Sequence, residues 1–464
     1  MKNKTKIIIL SVITAILTLS LTGLIYLTFF KDSELKAMGY SYDEIKLLHQ
    51  YDLTEKVDHY HQSLLYALTS KDFMEKNIDY YLLLESQMDY TNIINQLADK
   101  YSLDDCKLLL QILDIHDVMA LVDYDKIENL DNFKTLIAKE YTLSSAATLI
   151  TSVDDETLKL FTAELDQIKA DNYISYLQKG YNPETINKIH TLSVDIFNNL
   201  AGINYFEQLD DLISNSKFKI NNLARYLWYM NKNNCDAKTA VSDVNKNVDF
   251  VEDPDFESFY QGEITIVNEF SLTMLVNKNH QLQKDFIPEE LIEIDGEYRQ
   301  NNQPLYKEVA EAFIAMSDAC FTEVNRRMQI YSGYRSYATE EALYQTFVVA
   351  AEAAKEPEIE GEEAEKIIID SFTPRAGASE HQTGLAIDVL QKGYSHQEFD
   401  ECRSFTWMNN HSHEYGFILR YPKSKAFITG YYFISYHYRY VGVKPATIMK
   451  TYNWTLEEYN LLFN

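Results

Sequence analysis

The stretch Ser379-Glu380-His381-Gln382-Thr383-Gly384-Leu385-Ala386-Ile387-Asp388 decides the fold of the C-terminal part of this chain. Apolar residues alternate with small ones between Gly384 and Val389. An alternation with a period of two predicts a β-strand whose apolar residues face the core. Asp388 then belongs to the opposite face, which the small residues keep open for a ligand.

A second histidine completes a set of possible metal ligands. His437 lies in Tyr436-His437-Tyr438-Arg439-Tyr440-Val441-Gly442, after the aromatic-rich stretch 427–433, which predicts another strand of a mainly antiparallel sheet. Taken alone, a histidine is more often a hydrogen-bonded core residue than a ligand. Together, His381, Asp388 and His437 offer three ligands and leave a fourth tetrahedral position open, as catalytic zinc sites do.

These two motifs resemble the signature of the VanY-like D-alanyl-D-alanine carboxypeptidases, zinc peptidases of the bacterial cell wall. In that family, Ser-x-His-x-x-Gly-x-x-x-Asp is followed by Glu-x-x-His. The resemblance covers roughly residues 220 to 445. It implies a C-terminal α+β zinc-peptidase domain with Zn²⁺ held by His381, Asp388 and His437, and a peptidoglycan stem peptide as the partner of the cleft.

The resemblance also implies four substrate-binding residues. Arg335, in the stretch 331–337, matches a family arginine that can hold a terminal carboxylate or stabilise an oxyanion, although in isolation it would be an ordinary surface arginine. Glu340 stands where relatives commonly carry Gln. Arg375 precedes the histidine motif and either binds substrate or has a structural role. Ser379 either binds substrate or caps the turn.

The departure from the signature is Ile434, which occupies the position of the family's Glu. Peptide hydrolysis needs a base for the attacking water and an acid for the leaving amine, and an isoleucine supplies neither. Loss of such help typically costs about 10² to 10⁴ in rate. Ser435 and Tyr436 also replace the usual Pro and Trp. Two acids nearby in sequence could substitute for the missing glutamate, Glu380 and Glu414, although Glu380 is expected to point away from the site. His411 and His413 are further candidate proton carriers.

Two functions therefore stay open at this point. The first is a zinc D,D-carboxypeptidase that trims the terminal D-alanine of stem peptides, with activity reduced or lost because the general base is absent. The second is a non-catalytic protein that keeps the cleft and binds peptidoglycan or a protein partner.

The N-terminus predicts a membrane anchor. Residues 7–30 carry no charge and are long enough to cross a hydrocarbon core of roughly 30 Å. Lys2, Lys4 and Lys6 precede them, so the positive-inside rule predicts a single-pass protein of the cell membrane with a cytoplasmic N-terminus and an extracellular remainder.

Residues 31–220 predict an all-α helical-repeat region. A tyrosine, a capping residue and acidic residues recur ahead of apolar positions at helical spacing, and Tyr101, Tyr141 and Tyr181 are 40 residues apart. Such a period is typical of stacked helical hairpins. The region is either a spacer or a surface for a protein partner.

The domain limits predicted on these grounds are 1–30 for the anchor, 31–220 for the repeats, 221–445 for the peptidase domain with its lead-in, and 446–464 for a helical tail. A net charge of −28 argues against nucleic acid as a partner. The four scattered cysteines indicate no cysteine zinc site, and a Cys320 to Cys402 disulfide stays undecided.

Overall fold

The computed structural model describes residues 30–153, 167–353 and 369–464, except residues 253, 257, 261, 268, 302, 392, 396 and 397. The side chains of 167–170 and 351–353 are also outside the description. The chain divides into two compact units, Met1–Gln178 and Lys179–Asn464. The predicted domain limits stay a prediction.

The first unit is helical throughout its described part. After a helical segment at 30–37, it contains the 3₁₀ turns Glu75–Asn77 and Leu121–Asp123 and the α-helices Tyr42–Gln50, Gln62–Thr69, Ile78–Leu83, Thr91–Lys100, Leu103–Leu109, Ile115–Ala120, Leu130–Ala138, Leu143–Ser152 and Gln167–Gln178. Each helix is short, so its stability depends on burying an apolar face against its neighbours.

The repeated motif marks helix starts. The side chains of Ser41, Ser102, Thr142 and Asn182 each accept a hydrogen bond from a backbone N–H of the helix that follows. Ser41 and Ser102 form full capping boxes, with Glu44 and Asp105 reaching back to the cap residue. The predicted caps are confirmed.

The tyrosine of the motif has a role that its position in sequence does not disclose. The Tyr40 hydroxyl donates to the carbonyl of His59 at 2.7 Å and accepts from the N–H of His61 at 2.9 Å. The Tyr101 hydroxyl accepts from the N–H of Ile127. In the second unit, the hydroxyl of Tyr181 bridges the backbone of residues 204 and 206. Each tyrosine thus fixes a loop that lies 19 to 26 residues further along the chain.

The second unit begins with helices and continues as an α+β fold. Its α-helices are Pro183–Leu192, Val194–Asn199, Leu209–Ile213, Leu223–Asn233, Ala237–Val244, Lys307–Val324, Tyr337–Ala353, Arg403–His411, Ala426–Thr429, Val443–Tyr452 and Leu456–Phe463. Its 3₁₀ turns are Ile220–Asn222, Ser258–Tyr260, Gly296–Tyr298, Glu380–Thr383, Phe399–Glu401 and Ser412–Tyr415.

Eight strands follow in chain order: β1 Thr265–Ile266, β2 His280–Gln281, β3 Leu291–Ile292, β4 Leu305–Tyr306, β5 Met328–Ser332, β6 Ala386–Gln391, β7 Phe417–Tyr421 and β8 Ile434–Tyr440. β1 and β2 pair in parallel, and β3 and β4 pair antiparallel. The main sheet has the order β5-β6-β8-β7 and is antiparallel throughout, as predicted.

The main sheet and the helix Lys307–Val324 share one core. Leu385, Ile387 and Val389 are buried in it, which confirms the predicted apolar face of β6. Cys320 and Cys402 are both free and buried in the same core. The other face of β6 is covered as well, so Asp388 is buried at the centre of the sheet.

The N-terminal transmembrane helix and the single-pass membrane location need correction. Among the described residues, no helix is long and apolar enough to cross a membrane. Residues 1–29 of the predicted anchor lie outside the described residues.

The strand predicted at 427–433 is also wrong. Ala426–Thr429 is one turn of helix, and Gly430 ends it with a φ of +74°. Strand β8 begins only at Ile434. The aromatic residues of this stretch pack beside the sheet because the chain turns there, and a count of β-favouring residues does not detect such a turn.

Candidate metal centre

The main sheet brings the three predicted metal ligands together. Asp388 on β6 and His437 on β8 are direct cross-strand partners, and His381 lies in the 3₁₀ turn just before β6. Asp388 Oδ1 is 2.9 Å from His437 Nδ1, and Asp388 Oδ2 is 3.3 Å from His381 Nε2. One ligand atom from each residue lies within 4.8 Å of the others, and all three residues are buried.

Both imidazoles are oriented by contacts on their other nitrogen. Nδ1 of His381 is 2.7 Å from the carbonyl oxygen of Gly333, so it donates there and leaves Nε2 free to bind a metal ion. Nε2 of His437 is 3.5 Å from Glu380 Oε2, and its Nδ1 faces Asp388. The two histidines therefore present defined nitrogens to the same point.

Glu380 is held by a buried arginine pair. Arg420 Nε donates to Glu380 Oε1 at 2.7 Å, and Arg439 Nη1 donates to the same oxygen at 2.9 Å. Burial alone would raise the pKa of Glu380, but these two guanidinium groups hold it well below its usual range. The expectation that Glu380 points away from the site is wrong, because the 3₁₀ turn directs its side chain inward.

The charges of the ligands suit a metal ion. Burial and the nearby Arg335 lower the pKa of His381, which keeps its ring neutral. Burial would raise the pKa of Asp388, but His381 and His437 hold it well below its usual range. A buried, ionised carboxylate between two imidazoles is a donor set that fits zinc and related transition metals.

Three of the four predicted substrate residues form one group beside Asp388. Arg335 Nε donates to Glu340 Oε1 at 2.6 Å, and its Nη1 lies 2.5 Å from Ser332 Oγ and 3.5 Å from Asp388 Oδ2. Ser379 Oγ donates to the same Glu340 oxygen at 2.8 Å. Among the described residues, Glu340 Oε2 is buried and has no hydrogen-bond partner. A glutamate at this position thus neutralises Arg335.

Arg375 belongs to a different group. Its guanidinium donates to Asp370, at 2.5 Å from Nη2 to Oδ2, and lies over the ring of Tyr260 at 4.1 Å. Tyr344 donates to the same carboxylate at 2.9 Å. These contacts favour the structural role that was the alternative for Arg375.

Apolar side chains occupy the place of the missing glutamate. Ile434 is 8% exposed and forms a buried apolar cluster with Tyr421 and Tyr431, against which the partly buried Tyr436 packs. The ring of Tyr421 stacks on His437 at 5.2 Å and an angle of 25°. The site is therefore closed on this side by carbon atoms.

Two of the other candidate proton carriers, His411 and Glu414, contact each other. His411 Nδ1 lies 3.0 Å from Glu414 Oε1, and the His411 ring stacks on Trp407 at 4.9 Å. Burial raises the pKa of Tyr436 to about 12, so this phenol keeps its proton at neutral pH and cannot act as a base there. His411 and Glu414 belong to the helix Arg403–His411 and the turn that follows it, and the metal cluster consists of His381, Asp388 and His437.

Sequence reasoning missed the importance of Glu380, Arg420 and Arg439. A signal was present, because Arg420 and Arg439 stand in stretches that are otherwise apolar and aromatic. Charged residues in buried strands are almost always paired, so two such arginines predict a buried acid.

Comparison with known proteins agrees with this geometry. The family model described as VanY, D-alanyl-D-alanine carboxypeptidase, matches residues 302–443, which contain the whole metal cluster. The "Putative carboxypeptidase YodJ" of Bacillus subtilis (strain 168) is 34% identical over 202 residues, which are 42% of this chain and 69% of that protein. This chain belongs to the VanY-like carboxypeptidase family.

Two further matches are a second curated relative and a solved structure. The bifunctional D-Ala-D-Ala dipeptidase and D-Ala-D-Ala carboxypeptidase VanXYC of Enterococcus gallinarum is 32% identical over 194 residues, 40% of this chain and 92% of that protein. A solved structure of the LdcB LD-carboxypeptidase is 33% identical in sequence, with a TM-score of 0.35. The alignment covers 40% of this chain and 84% of the LdcB chain.

A second solved structure is that of a VanY mutant in complex with Zn(II). It is 28% identical in sequence, with a TM-score of 0.36. The alignment covers 41% of this chain and 99% of the VanY mutant chain. The family match and the curated relatives confirm the resemblance inferred from the two motifs, and the converging ligand atoms of His381, Asp388 and His437 agree with the predicted Zn²⁺ cofactor. Residues before 302 lie outside the VanY match.

Proposed function

We propose that this VanY-like chain binds peptidoglycan stem peptides in a zinc-holding cleft and hydrolyses them slowly or not at all. Ile434 carries this proposal. It stands in place of the glutamate that the family signature has three residues before the last histidine ligand, and it is packed in an apolar cluster.

His381, Asp388 and His437 would hold the zinc ion, because their ligand atoms converge and both imidazoles are oriented from behind. When bound, zinc supplies Lewis-acid activation of water and of a peptide carbonyl. Arg335 lies beside Asp388 and is the cation that would receive a terminal carboxylate. Glu340 and Ser332 fix the plane of its guanidinium.

Proton transfer is the step that this chain lacks. Glu380 is engaged by two arginines, and Glu340 is engaged by Arg335 and Ser379. A carboxylate stabilised in this way is a poor base, because taking a proton would break buried ion pairs. Absence of general acid and base help lowers a hydrolysis rate by about 10² to 10⁴.

An active carboxypeptidase is the second candidate, and the complete ligand set with its supporting contacts favours it. The two candidates share binding and differ in turnover. Release of free D-alanine from a stem pentapeptide that ends in D-Ala-D-Ala separates them. The measurement uses the zinc-loaded full chain, with His381→Ala as the control that removes a ligand.

We expect the natural chain to bind the pentapeptide in calorimetry and to release no more D-alanine than His381→Ala does. Release well above that control would overturn the non-catalytic proposal and establish the enzyme. Absence of pentapeptide binding, with zinc present in the cleft, would overturn both candidates.

A further inference from the structure

We propose that Asp58, His59 and His61 form a second transition-metal site, in the helical unit and outside the residues that match the VanY family. The site takes a divalent ion of the late first row, for which Zn²⁺ is the probe. Its three side chains are the one other group among the described residues in which at least three His, Cys, Asp or Glu ligand atoms lie within 4.8 Å of each other.

The ligand atoms converge on the Asp58 carboxylate. Asp58 Oδ1 is 2.6 Å from His59 Nδ1 and 3.1 Å from His61 Nε2. The two imidazole rings lie 3.8 Å apart at an angle of 39°. These separations are close to the distances between donors that share one metal ion at about 2.0–2.2 Å each. The chain therefore needs little rearrangement to admit the ion.

The backbone of this segment is fixed in advance. The hydroxyl of Tyr40 bonds to the carbonyl of His59 and to the N–H of His61, on either side of Tyr60. Tyr40 itself is buried. Two histidines that share one backbone clamp lose little conformational freedom on binding a metal ion, which favours affinity.

His61 also has an acidic partner behind it. It is 4% exposed, and its Nδ1 lies 3.3 Å from Glu85 Oε2. No hydrogen bond satisfies either atom within the described residues. Glu85 Oε1 accepts the backbone N–H groups of Gln62 and Ser63, at 2.7 and 3.1 Å. A carboxylate held behind a histidine ligand fixes the ring so that Nε2 points at the metal.

A nearby pair shows what an ordinary surface contact looks like in this unit. His49 Nε2 lies 2.6 Å from Asp32 Oδ1, and both side chains are partly exposed. That pair has one imidazole and no second histidine against it. His49 therefore serves as the matched control for His59.

The donor set identifies the class of ion. Two imidazoles and one carboxylate suit Zn²⁺, Cu²⁺, Ni²⁺ or Co²⁺, whereas Mg²⁺ and Ca²⁺ prefer oxygen ligands. Asp58 and His59 are exposed and His61 is buried, so the protein covers one side of the ion. The solvent side is left for water or for a ligand from outside the chain.

The test is zinc stoichiometry of the full chain, measured by competition with a chromophoric chelator in four proteins. These are the natural chain, His59→Ala, His381→Ala and the control His49→Ala. We expect two equivalents for the natural chain and one for each variant, with His49→Ala unchanged at two. A natural chain with one equivalent that His381→Ala removes and His59→Ala retains would overturn this proposal and leave the peptidase site intact.

The opposite result is equally distinct. One equivalent that His59→Ala removes and His381→Ala retains would support the second site and contradict the zinc-holding cleft. His59 is exposed, so its replacement should leave the fold unchanged, which the far-ultraviolet circular dichroism spectrum checks. Glu85→Gln keeps an acceptor for the two N–H groups and is expected to weaken zinc at this site about 10- to 100-fold. An unchanged affinity in Glu85→Gln would contradict the role assigned to Glu85.

Discussion

The two sides of the His437 ring differ sharply in chemistry. One side faces Asp388 and Glu380, which are fixed by three arginines in total. The other side meets the stacked ring of Tyr421 and, beyond it, Tyr431 and Ile434. The charged side holds the three converging metal ligands, whereas Ile434, Tyr421 and Tyr431 place no carboxylate on the apolar side. Under the proposed function, metal binding and acid–base chemistry are separable properties of this fold.

The sharpest way to test that separation is to restore a carboxylate on the apolar side. Ile434→Glu, combined with Ser435→Pro and Tyr436→Trp to recover the family turn, should raise the rate of D-alanine release by about 10² to 10⁴. The physical reason is that the new side chain can exchange a proton with water beside the metal ligands. The measurement is release from the stem pentapeptide at saturating zinc.

The matched control for this variant is Ile434→Gln in the same background. It has the size and polarity of the glutamate but cannot act as a base. Equal rates in the Glu and Gln variants would show that the added polarity, rather than proton transfer, is responsible. A rate that stays at the level of the natural chain would show that the tyrosine cluster excludes the substrate.

The charged side can be tested through Arg439, which is fully buried and donates to Glu380 and to the carbonyls of Leu272 and Met274. Arg439→Met should lower the free energy of unfolding by about 3 to 5 kcal/mol, because breaking a buried ion pair leaves charge uncompensated. It should also weaken zinc binding about 10- to 100-fold, since Glu380 positions His437. Urea unfolding and chelator competition measure these two effects.

A surface ion pair provides the comparison. Lys423 is largely exposed and lies 3.7 Å from Asp400. Lys423→Met should change the free energy of unfolding by less than about 0.5 kcal/mol. If Arg439→Met lowers the free energy of unfolding no more than Lys423→Met does, the buried network does not stabilise the fold.

The apolar side also contains a buried cation. Lys278 is 1% exposed and lies within 6 Å of the rings of Phe256, Phe259, Tyr260 and Tyr431, at 4.7 Å from the last. Burial lowers the pKa of Lys278 from 10.5 to about 7. Between these two values, the unfolded chain holds a proton that the folded chain has released. Unfolding then takes up a proton, so stability rises with pH in this window.

We therefore expect the natural chain to gain stability relative to Lys278→Met as the pH rises from 7 to 9, by at most about 1.4 kcal/mol per pH unit. Below pH 7 both the folded and unfolded forms are charged, so the difference between the proteins becomes constant. Urea unfolding at pH 6, 7, 8 and 9 measures it. Parallel pH dependence in the two proteins would mean that Lys278 keeps its proton inside the ring of aromatic residues.

Local patterns were the part of this fold that sequence could predict. Alternation around Leu385 and Ile387 identified β6, and the capping residues Ser41 and Ser102 identified helix starts, because each signal lies within a few residues. The ligand set followed from the family signature. Contacts made across the chain were not predictable in this way, such as the Tyr40 clamp on residues 59–61 and the arginines around Glu380.

The errors have physical causes as well. The stretch 427–433 has β-favouring composition, but the turn at Gly430 interrupts it. The expectation that Glu380 points away from the site requires a strand at its position, whereas a 3₁₀ turn there rotates the side chain inward. Asp58-His59-Tyr60-His61 also carries a ligand pattern that sequence can reveal, because two histidines are separated by one residue and preceded by an acid.

The smallest expected effect concerns Tyr438, which follows His437 on β8 and points into the core. It is fully buried, and its hydroxyl has no hydrogen-bond partner among the described residues. Tyr438→Phe should raise the free energy of unfolding by about 1 kcal/mol, since it removes an unsatisfied polar group. Tyr226 is the matched comparison, because its buried hydroxyl donates to Asn245 Oδ1 at 2.7 Å. Tyr226→Phe should instead lower the free energy of unfolding by about 1 kcal/mol, and urea unfolding measures both variants. Equal losses in both variants would mean that a buried water molecule satisfies Tyr438, and the core behind the metal ligands would then be less dry than the packing around β8 implies.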